Sequence, residues 1–405
     1  MQLADEVIIH NLREGEEIKM STLFEQNTLA GMTLRNRFIR SATFEGMGSD
    51  NGLVKPGLNG KMRELADGGV GLIITGHTYF SIEGKASPGK VAVDRDECIP
   101  GLAHMAAAVH MNGGKIILQL GHAGAMASTA CTGQEPAGPS AIPGKDGKPL
   151  CREMSLDDID TLTENIADGA RRAKKAGFDG VQIHAAHGYL FSQFLSPYFN
   201  KRQDEFGGSV ENRTKIVIMA LKKIKAVTGG GYPVLIKINS DDFIDGGINP
   251  DEMLEIAQLL EKNGIDAIEI SGGTHFSKEG YDPVRKGNRA IPDHGAYYFK
   301  AAGKLKQSVK VPVILVGGIR AFDTAQNIIA SKAADYIAMS RPLIREPQLI
   351  KRWESGNTAR ASCESCNSCF RPVLTGKGLY CPVGERLKKQ AMQSIEQERE
   401  AVLQA

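Results

Sequence analysis

Short apolar runs rich in β-branched residues recur along the chain at intervals suited to strand–helix units. Polar and helical stretches separate these runs, so each run predicts one buried strand of a parallel sheet. The predicted strands are Phe38–Thr43, Val70–Thr75, Ile116–Leu120, Gly180–His184, Val234–Asn239, Ala267–Ser271, Val313–Gly317 and Asp335–Met339.

The stretches between these strands carry helical periodicity. The clearest predicts a helix over Asp157–Ala176, and Ser155 with Asp158 three residues later predicts a capping box at its start. Its apolar face is formed by Ile159, Leu162, Ile166, Ala170 and Ala173. Weaker patterns predict helices over Ile216–Val227 and Met253–Leu260, and a charged C-terminal helix over Glu385–Leu403.

Strands alternating with helices predict a parallel (β/α)8 TIM barrel. A doubly wound sheet is the alternative, but no G-x-G-x-x-G fingerprint follows any predicted strand. We expect residues 1–20 to extend outside the barrel, residues 21–353 to form it, and residues 354–405 to form a short cysteine-bearing appendix. The loops Gly121–Glu153 and Gly272–Asp293 are long enough to predict functional covers.

Composition and charge narrow the class of protein. The chain of 405 residues is 41% hydrophobic and 24% charged, with a net charge of +2 and no basic block, which argues against nucleic-acid or membrane-surface binding. No apolar run is long enough to span a membrane, and the acidic N-terminus is unlike a signal peptide. We therefore expect a cytoplasmic protein; whether it is a homo-oligomer stays open.

The segment after the fourth predicted strand carries the strongest chemical signal. His184, His187 and Tyr189 stand where that strand becomes a loop, which in a barrel is the catalytic face. The two histidines lack the H-E-x-x-H pattern of a metal-binding helix, which argues against a metal site. A purely structural role for both histidines is the other alternative. Two histidine donors on one carbonyl oxygen would stabilise developing charge, and a neutral phenol could protonate the neighbouring carbon.

The stretch HAAHGYLFSQFLSPYFNKRQDEFGGSVENR resembles the signature of the Old Yellow Enzyme family of FMN-dependent ene-reductases, which fold as (β/α)8 barrels. The resemblance covers about residues 20–350 and includes Leu34-Arg35-Asn36-Arg37 and LQLGHAG. It implies that FMN is held by residues at several strand ends. These are Ser41, Ala42, Thr43, Gly76, Gln119, Lys237, Gly317, Gly318, Ser340 and Arg341.

Elementary chemistry agrees with several of these assignments. Lys237 projects from a buried strand and could face the N1–C2=O edge of a flavin, where negative charge collects on reduction. Gln119 could bond the pyrimidine ring. The Gly-Gly and Ser-Arg pairs follow strands seven and eight, where barrels commonly bind phosphate. Two positions depart from the family pattern, because Phe44 replaces a Thr or Cys and Ala125 replaces an Arg.

The resemblance implies a two-step cycle in which NAD(P)H reduces FMN and a small unsaturated carbonyl compound then reoxidises it. His184 and His187 would hold the carbonyl oxygen, hydride would pass from flavin N5, and Tyr189 would supply the proton. An amine or ether demethylase of the same family is one alternative. An electron-transfer subunit of a larger complex is another, from a different functional class.

A second motif lies beyond the barrel, where four of the seven cysteines cluster. The spacing Cys363-x2-Cys366-x2-Cys369-x11-Cys381 suits ligation of one centre. It resembles the [4Fe–4S] motif of trimethylamine dehydrogenase and 2,4-dienoyl-CoA reductase, which would imply a redox partner protein as electron source. Zinc, or no metal, are the alternatives.

Overall fold

The computed structural model describes residues 21–142, 144, 149–287 and 295–404. The predicted N-terminal extension, residues 1–20, lies outside the described residues. The barrel strands are β1 (Phe38–Arg40), β2 (Leu72–Ile74), β3 (Lys115–Gly121), β4 (Gly180–Ala185), β5 (Val234–Asn239), β6 (Ala267–Ser271), β7 (Val313–Val316) and β8 (Tyr336–Met339). Each pairs in parallel with its neighbours, and β8 pairs with β1, so the sheet closes on itself.

A helix follows each barrel strand in the chain. The helices are α1 (Pro56–Asp67), α2 (Ile99–His110), α3 (Leu156–Lys175), α4 (Val210–Thr228), α5 (Pro250–Lys262), α6 (Phe299–Ser308), α7 (Phe322–Ala330) and α8 (Leu349–Glu354). The predicted (β/α)8 TIM barrel is therefore confirmed, and the doubly wound alternative is wrong because the pairing of β8 with β1 closes the sheet. Among the described residues, no helix is long and apolar enough to cross a membrane.

Local sequence chemistry explains where the helices begin. The Asp158 backbone N–H donates to Ser155 Oγ at 3.1 Å, and the Ser155 N–H donates to Asp158 Oδ2 at 2.8 Å, which is the predicted capping box. Helix α4 begins six residues before the predicted Ile216, because the Ser209 side chain accepts from the Asn212 N–H and caps it. Both boundaries follow from polar caps, which periodicity does not detect.

The bottom of the barrel is closed by a hairpin that the apolar pattern did not predict. Its strands, Asn27–Leu29 and Met32–Leu34, pair antiparallel, and their apolar side chains pack onto barrel-lining residues such as Ile74 and Leu235. The interior at this end of the barrel is therefore a packed core.

The first of the two long loops contains short elements of its own. Between β3 and α3 lie Thr129–Thr132, a short helix, and the paired strands Ala137–Gly138 and Arg152–Glu153. The last part of the loop after β6, residues 288–294, lies outside the described residues.

The cysteine-bearing segment follows α8 and returns to the catalytic face. It contains the short helix Phe370–Leu374 and the C-terminal helix Pro382–Gln404. The Ala361 N–H donates to the Arg320 carbonyl at 2.8 Å, which anchors the start of this segment beside β7. Trp353, fully buried against Phe38 and Phe322, marks the point where the chain leaves the barrel.

Candidate active site

A cavity of about 480 Å³ opens at the carboxyl ends of the strands, which is within the usual range for a small-molecule site. All but one of the residues predicted for catalysis or cofactor binding line it. These are Ser41, Ala42, Thr43, Gln119, His184, His187, Tyr189, Lys237, Gly317, Gly318, Ser340 and Arg341. Closure of the barrel brings them together from strands that are far apart in sequence.

The exception is Gly76, which does not line the cavity. Its N–H donates to Glu45 Oε1 at 3.2 Å, and Glu45 also forms a 2.7 Å ion pair with Arg40. A Cβ at Gly76 would lie 2.4 Å from the Thr43 carbonyl oxygen, so only glycine fits there. The glycine lets the loop after β2 lie against the loop after β1.

His184, His187 and Tyr189 converge at the end of β4. The His184 ring centroid lies 5.3 Å from that of His187 and 5.2 Å from that of Tyr189. His187 has a φ of 66°, and its N–H donates to Asn239 Oδ1 at 3.1 Å. This left-handed backbone conformation is uncommon for a residue other than glycine, and Tyr189, two residues further on, lines the cavity.

Burial sets the protonation of these three side chains. It lowers the pKa of both histidines well below the usual value, with neighbouring positive groups adding to the effect. It raises the pKa of Tyr189. His184 Nδ1 is buried and has no hydrogen-bond partner among the described residues, whereas His187 Nε2 lies 2.8 Å from Ser271 Oγ. At neutral pH the site therefore offers two neutral imidazoles and a protonated phenol.

Lys237 lies in a buried polar network across four strands. Its Nζ is 3.0 Å from Glu269 Oε1 and donates to Ser41 Oγ at 2.8 Å. Gln182 Nε2 donates to Glu269 Oε2 at 2.8 Å, and Gln119 Nε2 donates to Gln182 Oε1 at the same distance. The barrel register makes this possible, because Lys237 pairs with Glu269 and Gln119 with Gln182 in the ladder.

Sequence reasoning missed Glu269 and Gln182. Each is a polar residue in the middle of a mostly apolar strand, Ala267–Ser271 for Glu269 and Gly180–Ala185 for Gln182. A charged residue at the centre of a buried strand ordinarily needs a partner. That signal was present in the sequence, although the identity of the partner was not.

The other end of the cavity is glycine-rich and cationic. Gly317 and Gly318 follow β7 with φ values of 107° and 85°, and a Cβ on either would lie 2.9 Å from the Tyr297 ring. Arg341 Nη1 donates to Asn367 Oδ1 at 2.6 Å and thereby meets the cysteine-bearing segment. Arg320, which was also missed, lines the cavity and donates to Ser365 Oγ at 2.5 Å.

Two further side chains in the cavity were missed, His77 and Lys90. Lys90 Nζ lies 3.4 Å from His77 Nδ1 and 3.9 Å from the centroid of the Phe44 ring. The His77 centroid is 4.9 Å from that of Tyr189 and 5.7 Å from that of His184. His77 follows β2 just as His187 follows β4, so a histidine after a strand end could have been detected by the same rule.

The four clustered cysteines line a second, small cavity of about 30 Å³ beside Arg341. Ser365 and Asn367, which flank Cys366, have φ values of 54° and 61°, so the backbone turns tightly between the cysteines. Within the described ranges, no three His, Cys, Asp or Glu side chains are grouped so that they could hold a metal ion. The cysteines thus surround a common space without forming a single-ion site.

Comparison with known proteins identifies a family and several relatives of this chain. The model of the NADH:flavin oxidoreductase / NADH oxidase family matches residues 22–359. A metal reductase from Desulforamulus reducens is 36% identical over 378 residues, which are 93% of this chain and 55% of that protein. An NADPH dehydrogenase from Clostridium acetobutylicum is 31% identical over 329 residues, 81% of this chain and 93% of that protein.

Among solved structures, an old yellow enzyme homologue from Zymomonas mobilis superposes with a TM-score of 0.72 at 27% identity. The match covers 90% of this chain and 98% of that structure. This chain spans about half the length of the metal reductase.

Proposed function

Because this chain belongs to the NADH:flavin oxidoreductase / NADH oxidase family, we propose that it is an FMN-dependent enzyme that uses NAD(P)H to reduce C=C bonds conjugated to a carbonyl group. The observation that carries the proposal is the group of His184, His187 and Tyr189, buried and uncharged, in a cavity that also holds a buried lysine. This set can bind a carbonyl oxygen, stabilise the charge that develops on it, and supply one proton.

The residues present fit a flavin mononucleotide. Lys237 offers a cation to the N1–C2=O edge, and Gln119 offers an amide to the pyrimidine ring. Gly317 and Gly318, which line the cavity after β7, would offer backbone N–H groups to the phosphate, and Ser340, Arg320 and Arg341 would provide polar and cationic donors for it. Ser41, Ala42 and Thr43 would line the cofactor from β1. When bound, FMN would accept hydride from NAD(P)H and pass it to the substrate carbon.

The chain's own residues would complete the reaction. The two histidines would donate to the substrate carbonyl oxygen, which draws electrons from the alkene. Tyr189 would then give its phenolic proton to the carbon next to the carbonyl, and solvent would return a proton to the phenolate. The product gains one hydride and one proton across the double bond, and the nicotinamide is oxidised.

Stopped-flow kinetics on the flavin-loaded enzyme test this assignment. We expect Tyr189→Phe to slow reoxidation by 2-cyclohexenone about 100-fold or more, because the proton donor is lost. Reduction of the flavin by NADPH or NADH should stay unchanged. Tyr198→Phe is the matched control, since Tyr198 packs on Phe199 and Phe276 outside the cavity. Reoxidation of Tyr189→Phe at the wild-type rate would exclude the proposed role, and reduction of the flavin by methylated amines would favour an amine dehydrogenase.

We also propose that Cys363, Cys366, Cys369 and Cys381 hold a [4Fe–4S] cluster, which would connect the flavin to a redox partner protein. Their arrangement around one cavity supports this. Zinc, which takes four sulfurs at about 2.3 Å from one ion, is the competing occupant of the same four cysteines. The cavity touches Arg341, which also lines the flavin cavity, so the two centres would be neighbours.

Metal analysis of anaerobically purified protein tests the cluster. We expect about four irons per chain and absorbance near ~400 nm beyond that of the flavin. Cys369→Ser should lose the iron, whereas Cys131→Ser, which changes a cysteine outside the group, should keep it. Protein that contains zinc, or neither metal, would contradict the proposal.

A further inference from the structure

We propose that Lys90, held by His77, forms an anion subsite that binds a carboxylate on the substrate, so that this enzyme prefers unsaturated carbonyl compounds that also carry a carboxylate. The inference rests on the proposed function and narrows its substrate class. It concerns two residues that neither the clamp of His184 and His187 nor the cofactor assignments use.

Lys90 is a buried lysine whose side-chain nitrogen contacts no carboxylate among the described residues. Only 5% of its surface is exposed, and its side chain lines the catalytic cavity. Within the described part of the chain, no carboxylate oxygen lies within 4 Å of its ammonium. Two other buried cations near the site do have a carboxylate partner, because Lys237 pairs with Glu269 and Arg40 with Glu45. Buried charges in proteins are ordinarily paired, so an unpaired ammonium facing open space indicates a site for an anion.

Two neighbouring side chains hold the Lys90 side chain at the cavity wall. The face of the Phe44 ring supports the ammonium at 3.9 Å, and His77 Nδ1 lies 3.4 Å away. When Lys90 is protonated, its ammonium can only donate to Nδ1, which places the His77 proton on Nε2. That nitrogen is buried and has no partner among the described residues. An unsatisfied buried donor is costly, so a ligand atom at this position would stabilise the site.

The position within the cavity assigns the anion to the substrate. His77 contacts the rings of Tyr189 and His184, which are the groups proposed to act on the substrate. The phosphate of the cofactor has its own cations, Arg320 and Arg341, at the end formed by β7 and β8. Burial lowers the pKa of Lys90 to about 7, against the opposing effect of nearby Glu45. A bound carboxylate would therefore stabilise the charged form of the lysine.

The test compares an acid with its neutral ester on the flavin-loaded enzyme. The substrates are 4-oxopent-2-enoate and its methyl ester, which share the same alkene and ketone. We expect Lys90→Met to raise KM for the acid about tenfold or more and to leave KM for the ester within about twofold. Lys90→Arg should retain the preference for the acid. Lys85→Met is the matched control, because Lys85 is equally buried but donates to the Asp50 carbonyl and does not line the cavity.

A binding measurement without turnover gives the second readout. The saturated acid 4-oxopentanoate should perturb the flavin absorbance of the wild type, and its Kd should rise about tenfold in Lys90→Met. An equal rise in KM for the acid and the ester in Lys90→Met would overturn the inference. So would an unchanged Kd for 4-oxopentanoate together with a shifted flavin midpoint potential, because Lys90 would then act on the flavin and not on the substrate. If the wild type reduces neither compound, the proposed function fails, and the Kd comparison alone decides the subsite.

Discussion

Replacing Glu269 by glutamine tests whether the buried network under the flavin site is held by charge. Glu269 is fully buried and its Oε1 lies 3.0 Å from Lys237 Nζ and 2.6 Å from Ser41 Oγ. At 3.0 Å, Coulomb's law with an effective dielectric of about 20 gives an attraction of about 5–6 kcal/mol. Removing one partner of such a pair leaves the other charge buried and unpaired, which typically costs about 3–5 kcal/mol.

Urea unfolding of the flavin-free protein measures this loss. The chain has one tryptophan, Trp353, and its full burial makes its fluorescence a probe of unfolding. We expect Glu269→Gln and Lys237→Met each to lower the free energy of unfolding by about 3 kcal/mol. The double variant should lose about 2 kcal/mol less than the sum, since it leaves no unpaired charge.

If the two single-variant losses simply add, with a coupling below about 0.5 kcal/mol, the reasoning is refuted, because Glu269 and Lys237 would then contribute to stability only by packing.

The flavin-loaded protein offers an independent check. Without Glu269 the positive charge of Lys237 is less compensated and should favour reduced, anionic flavin. We expect the two-electron midpoint potential of Glu269→Gln to rise by about 30 mV, equivalent to about 1.4 kcal/mol. A lowered potential would contradict the proposed contact between Lys237 and the flavin.

Two further predictions concern the histidines and the glycine pair. His77, His184 and His187 have pKa values held well below the usual value by burial. The unfolded chain therefore binds protons that the native chain does not below about pH 6.5, and stability should fall as the pH falls, by about 1.4 kcal/mol per pH unit for each histidine. Urea midpoints at pH 7.5 and 5.5 measure this loss of stability. His184→Asn removes one of the three histidines and should reduce the dependence of stability on pH by about one proton. An unchanged pH dependence in this variant would contradict the prediction. Gly317→Ala should lose flavin on gel filtration while keeping the far-ultraviolet spectrum, because its Cβ would press on the Tyr297 ring at 2.9 Å with φ at 107°; full flavin retention would count against the assignment.

The sequence by itself determined the architecture and placed three candidate catalytic side chains at one strand end. Eight apolar runs predicted the eight barrel strands, because a strand buried on both faces must be apolar along its whole length. Ser155 and Asp158 predicted the start of α3, since a cap is a local contact. His184, His187 and Tyr189 lie within six residues of one another, so the sequence alone predicted that they lie close together, as they do in the structure.

Tertiary structure decided everything that depends on closure of the barrel. Glu269 meets Lys237 only because β5 and β6 pair in one register. Lys90 reaches His77 and Phe44 only because the loops after β1 and β2 cover the same opening. Local periodicity reports which face of an element is buried, but carries no information on which distant side chain lies opposite. The countercharge of the proposed flavin site and the unpaired ammonium beside it could therefore be recognised only in the folded chain.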